Sequence, residues 1–221
     1  MQDVTSALFL VFASLFPIIN PIGGAPIFLA LTRDCSAVER RVLSRKIAIN
    51  SLVLLIGSLF VGSHVLQFFG ITLPVVRVAG GLVLIAFAWK LLHSDLDRAA
   101  DPAAAAIAGA QQLAMKDSFY PLTMPLTVGP GSISVAIALG SQRPAIESGY
   151  GEIASAALGA TIGLTLLSIV IYICYRFAGT IVATLGTSGT RVLVRLTAFV
   201  LLCIGIQITW NGYLALSRAG V

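Results

Sequence analysis

Residues Phe16–Phe28 read FPIINPIGGAPIF, and this short run decides how the chain folds. It sets Pro17, Pro21 and Pro26, with the pair Gly23-Gly24, inside an apolar stretch that would otherwise be one helix. A proline in a helix interior removes one hydrogen bond and pushes against the carbonyl four residues back. The surrounding stretch, Val4–Leu31, is also longer than the ~20 residues that cross a bilayer as a straight helix. Both facts predict a span interrupted near its middle.

Hydrophobic residues make up 57% of the 221-residue chain and charged residues only 10%, against roughly 25% charged in soluble domains. The expected class is therefore an all-α integral membrane protein, with the lipid bilayer as its surroundings. Six apolar segments are legible: Val4–Leu31, Ile47–Phe69, Leu73–Leu92, Phe119–Leu139, Ile153–Phe177 and Val192–Leu216. The first is expected to stay as a span, because Met1–Thr5 holds Asp3 but none of the Lys or Arg that opens a signal sequence. The net charge of +5 does not point to nucleic acid, because the basic residues flank apolar spans instead of alternating with aromatics. Cys35, Cys174 and Cys203 stand apart, without metal-ligand spacing. No metal and no cofactor is expected.

Lys and Arg concentrate after the odd-numbered spans: Arg33, Arg40, Arg41, Arg45 and Lys46, then Lys90, Arg98 and Lys116, then Arg176 and Arg191. By the positive-inside rule these loops face the cytoplasm and both termini face out. The Ala-rich connection over 93–118 reads as a cytoplasmic linker between a first unit, 1–92, and a second, 119–221.

The opening pattern returns in the second unit. Pro121, Pro125 and Pro130 in YPLTMPLTVGPGSI repeat the spacings of four and five shown by Pro17, Pro21 and Pro26. The stretch around Arg77, VVRVAGGLVL, likewise resembles LVRLTAFVLL around Arg195. Three spans separate the equivalent elements, so the second copy runs through the membrane the other way. This predicts two inverted-topology three-helix repeats, with helices 1 and 4 broken at mid-membrane.

Irregular backbone in a membrane survives only inside protein or along a watery cavity, so both breaks are expected to face inward. Each starts a half-helix whose free N–H groups carry about half a positive charge and suit a carboxylate. The freed carbonyls before each break suit an ammonium group. Gly24 and Gly131, without Cβ, would let a ligand approach the backbone closely. Asn20 and Thr123 each precede the second proline of a triple and are the favoured contacts, with Thr127 and Ser132 beside them. A small zwitterion matches this inventory.

At these residues the chain resembles the MarC family of six-span membrane proteins, through NPIGGAPIFLALT at 20–32, VRVAGGLVL at 76–84 and YPLTMPLTVGPGSI at 120–133. The resemblance implies a secondary carrier of neutral amino acids such as glycine and alanine, in the plasma (inner) membrane of a bacterium or archaeon. Carried over by motif, its site would comprise Asn20, Pro21, Gly23 and Gly24 facing Thr123, Pro125, Thr127, Gly129 and Gly131.

Candidates for gating or coupling are Arg77 and Arg195, as paired gates or as side chains snorkelling to the interface, His64, as a relay in span two or a neutral residue hydrogen-bonded between helices, and the inward-facing Asn50. No Asp or Glu lies well inside a span, so coupling through a mid-membrane carboxylate is not expected. Coupling to protons or to sodium, the direction of transport and the oligomeric state stay open. No nucleophile–base pair or metal cluster points to an enzyme. The alternative class is a channel, or an exporter of other small metabolites or drugs.

Overall fold

The computed structural model describes residues 4–93, 118–141 and 150–218. Apart from its two ends, His93 and Ser118, the linker expected over 93–118 lies outside the described residues. The described residues contain no strand, and their helices are α1 (Val4–Ile19), α2 (Pro21–Leu31), α3 (Ala37–Phe60), α4 (Gly62–Phe68), α5 (Leu73–Leu92), α6 (Ser118–Thr127), α7 (Pro130–Ser141), α8 (Tyr150–Arg176) and α9 (Ala178–Arg218).

By length and composition, α3, α5, α8 and residues 188–218 of α9 can each cross a membrane. The pair α1–α2, bent by 40° at Asn20, makes a fifth candidate if counted as one span. The fourth expected segment, Phe119–Leu139, is less regular. Tyr120 (φ −119°, ψ 129°) and Met124 (φ −119°, ψ 122°) are extended inside α6, because the ring of a following proline disfavours the helical region. Hydrogen bonding there reaches back five residues, as in Val128 N–H to the Thr123 carbonyl at 2.8 Å. The regular helix α7 then runs for only 12 residues, ~18 Å at 1.5 Å per residue.

Other boundaries follow from local chemistry. Helix α3 starts ahead of the expected Ile47 because Ser36 and Glu39 form a capping box, Ser36 N–H to the Glu39 carboxylate at 2.7 Å and Glu39 N–H to the Ser36 hydroxyl at 3.2 Å. It stops at Phe60, so Gly62–Phe68 forms a separate short helix. Helix α9 turns at Gly186 (φ 65°, ψ −179°), a backbone shape that favours glycine.

The helices pack through small residues. α5 lies along α9, where a Cβ on Gly205 would stand 2.8 Å from Ile85 and one on Gly212 would stand 2.9 Å from the Pro74 carbonyl. Backbone therefore meets backbone along this seam, the close approach that small residues allow between membrane helices. α1 packs on α8, and α3 packs on both α7 and α8. Leu15, Phe28, Ile47, Leu55, Leu164, Leu167, Ile171 and Tyr175 form the fully buried centre.

Candidate functional site

The end of α1 and the start of α7 meet at a cavity of about 320 Å³. Asn20 builds one wall. Its backbone is left-handed (φ 43°, ψ 64°), a region asparagine tolerates better than other side chains. Asn20 N–H closes α1 on the Phe16 carbonyl at 2.8 Å, its side-chain oxygen accepts from Gly23 N–H at 3.1 Å, and its carbonyl accepts from Gly24 N–H at 2.9 Å. One residue thus ends one helix and caps the next. Helix α2 therefore has little free N–H to offer a ligand. The carbonyls of Ile18 and Ile19, beside the cavity, receive no hydrogen bond among the described residues.

The opposite wall differs. At the start of α7, Ile133 N–H bonds the Gly129 carbonyl at 3.1 Å and the Ser132 hydroxyl donates to that same carbonyl at 2.9 Å. The N–H groups of Gly131 and Ser132 have no acceptor among the described residues. The cavity therefore sees the negative end of α1 and the positive end of α7. Its other lining is mostly apolar, from α5 and α9, with Lys90 as the one charged lining residue among those described.

Tyr175, from α8, supports both walls. Its ring stacks on Phe28 at 4.7 Å and 6°, and its hydroxyl lies 2.9 Å from that of Thr127. Thr127 also donates to the Leu122 carbonyl at 2.8 Å.

Of the residues expected at a substrate site, Asn20, Gly23, Gly24, Thr127, Gly129, Gly131 and Ser132 line this cavity. Pro21 and Thr123 do not, and the side chain of Pro125 lies outside those described. Thr123 is fully buried and donates to the Ser118 carbonyl at 2.7 Å, where it satisfies backbone freed by the irregular turn. Asn50 reaches Ser118 at 3.4 Å and Thr123 at 3.5 Å, tying α3 to α6 outside the cavity.

The glycines also make room for neighbouring helices. A Cβ on Gly24 would stand 2.9 Å from the Tyr175 hydroxyl, one on Gly23 would overlap Thr197, and one on Gly131 would stand 3.2 Å from Leu84. Their missing side chains admit neighbouring protein.

His64 lies exposed on α4, not between helices, because α3 stops at Phe60. Arg195 is exposed and outside the cavity, and Arg77 lines a second cavity at the other end of α5. Sequence reasoning missed Tyr175, Thr197 and Lys90 as site residues. For Thr197 a signal existed: it holds the place of Ala79 in the paired arginine motifs, a polar group where the other copy has a methyl. Among the described residues no group of three His, Cys, Asp or Glu could hold a metal ion.

A family model described as MarC family integral membrane protein matches residues 5–216. The inner membrane protein MarC of Salmonella typhimurium is 28% identical, covering 99% of both chains. A membrane protein, YvbG, of Bacillus subtilis is 32% identical over 91% of this chain and 92% of its own. A membrane protein of Buchnera aphidicola is 31% identical over 89% of this chain and 86% of its own. No solved structure matches.

Proposed function

The chain belongs to the MarC family of integral membrane proteins, and on that premise we propose that it is a secondary transporter of small neutral amino acids of glycine or alanine size. It works by alternating access in the inner membrane, where its Salmonella relative is named as residing. The observation that carries this reading is the pairing of helix ends at the cavity. A substrate carboxylate sits on the free N–H groups of Gly131 and Ser132, and its ammonium group sits on the carbonyls of Ile18 and Ile19. The volume of about 320 Å³ is at the small end of the ~300–1,000 Å³ of ligand pockets. Lys90 at the lining draws the carboxylate in.

The reading includes six spans in two inverted repeats, with α1–α2 and α6–α7 as the broken pair and both termini outside. Support comes from matched packing: α1 lies on α8 as α6 lies on α3, and α2 lies on α9 as α7 lies on α5. Asn20 plays opposite α7 the part of a fixed cap, and it contacts substrate through its free amide NH₂.

The test is counterflow in proteoliposomes with labelled glycine, alanine, serine and leucine, with and without proton and sodium gradients. Saturable exchange of glycine and alanine, with leucine excluded, is expected. Absence of both counterflow and binding for all the small amino acids overturns the proposal. Flux that never saturates assigns the protein to the channels.

A further inference from the structure

A second cavity, of about 480 Å³, lies between α5, α7 and α9 at their other ends. Arg77 and Lys90 mark the two cavities on α5, about 20 Å apart along the axis at 1.5 Å per residue. The polar groups of the second cavity are Arg77, Asn211 and Arg218, and its walls are apolar side chains that include Val135, Leu139 and Ile208.

All three polar groups offer donors. Arginine has no acceptor. The Asn211 side-chain oxygen already accepts from the Gln207 amide at 2.9 Å, which leaves the Asn211 NH₂ to donate. Among the described residues no hydrogen bond or ion pair engages Arg77 or Arg218, and no carboxylate lines the cavity. Arg77 is half-buried. Two like charges facing one apolar space repel, and partial removal of a cation from water is costly unless an anion answers it. A guanidinium fork fits the paired oxygens of phosphate or carboxylate.

We propose that this cavity is an oxyanion site, in which Arg77, Arg218 and the Asn211 amide hold one phosphate or carboxylate group while the rest of the ligand lies on the apolar wall. The anion comes from an acidic lipid headgroup or from a free small acid. The site is independent of whether the first cavity carries a transport substrate.

The full-length protein in detergent is offered phosphatidylglycerol or phosphatidylethanolamine with the same acyl chains, and bound lipid is read by native mass spectrometry. Parallel melting curves are taken in inorganic phosphate and in acetate, against chloride at equal ionic strength. One retained phosphatidylglycerol is expected, at least ten-fold preferred, with the preference lost in Arg77→Gln and in Arg218→Gln. Arg77→Lys keeps part of it, and Arg45→Gln, exposed on α3, keeps all of it. Ligand-free melting curves identify any variant that fails to fold, and Arg218→Gln alone then carries the test. Arginine-dependent stabilisation by phosphate or acetate without lipid preference supports the site and assigns a soluble source. Equal retention of both lipids with no anion effect overturns the proposal, as does anion binding that survives the double Arg77→Gln/Arg218→Gln variant.

Discussion

Replacing Gly23 with alanine drives a methyl group into Thr197. The new Cβ would overlap the Thr197 hydroxyl oxygen and stand 2.6 Å from its Cγ2 and 2.9 Å from its Cβ. Carbon atoms in good contact sit ~3.5–4.0 Å apart. Because the Thr197 Cβ itself is too near, no rotamer of that side chain relieves the clash, and α2 must move off α9. Overpacking of this kind costs about 1–3 kcal/mol, and an overlap involving Cβ belongs at the upper end. Alanine gives back about 1 kcal/mol of helix propensity over glycine. The net loss of about 2 kcal/mol corresponds to a fall in Tm of ~4–8 °C for a chain of this size. Gly57→Ala on α3 is the control: nothing lies within 4 Å of its added Cβ, so only the propensity gain remains and Tm rises by ~2–4 °C. Thr197→Ala in the Gly23→Ala background removes two of the three clashing atoms and recovers at least half of the loss. Thermal unfolding in detergent, followed by tryptophan fluorescence, reads all four proteins. A Gly23→Ala protein that melts with or above its parent would refute the reasoning, as would a double variant that melts no higher than the single.

Tyr175→Phe keeps the ring stack on Phe28 and loses the hydroxyl 2.9 Å from Thr127; a cost of about 1 kcal/mol and a Tm fall of ~2–4 °C are expected. Thr127→Val should cost more, up to about 3 kcal/mol, because it strands both the Tyr175 hydroxyl and the Leu122 carbonyl. Equal melting of these two variants would show that the Leu122 bond contributes nothing. Burial, followed by the charge of Glu39, pushes the Cys35 thiol up from its ordinary range. Since only the thiolate reacts, labelling by a membrane-impermeant maleimide should be slow at neutral pH and quicken as pH rises. With Cys174 buried and Cys203 on a transmembrane candidate helix, that label should enter from the cytoplasmic side alone; modification of Cys35 from outside reverses the proposed orientation.

Much of this architecture is legible from local chemistry. Proline spacing marks both irregular stretches, and the extended backbone at Tyr120 and Met124 follows from the rings behind them. Leu73–Leu92 is the same in sequence and in structure. What escapes is what depends on distant partners. Nothing near Gly23 or Gly24 says that Thr197 and Tyr175 fill the space beside them, because those side chains arrive from helices more than 140 residues away in the chain. Nor does apolar content separate α3 from α4: Ile47–Phe69 reads as one mostly apolar segment, and only the turn at Val61 places His64 outside the packed helices. Thr123 misleads for a related reason. The proline that marks it also deranges the hydrogen bonding its hydroxyl then repairs.

The two cavities share their walls. α5, α7 and α9 line both, at opposite ends, and the seam of Gly81, Gly205 and Gly212 leaves no side-chain cushion on which α5 and α9 could slide. Helices common to both chambers and packed this closely carry a displacement at one chamber to the other. For the ligands proposed in the two chambers, linkage makes any coupling reciprocal: the factor by which one changes the other's affinity is the factor it receives in return.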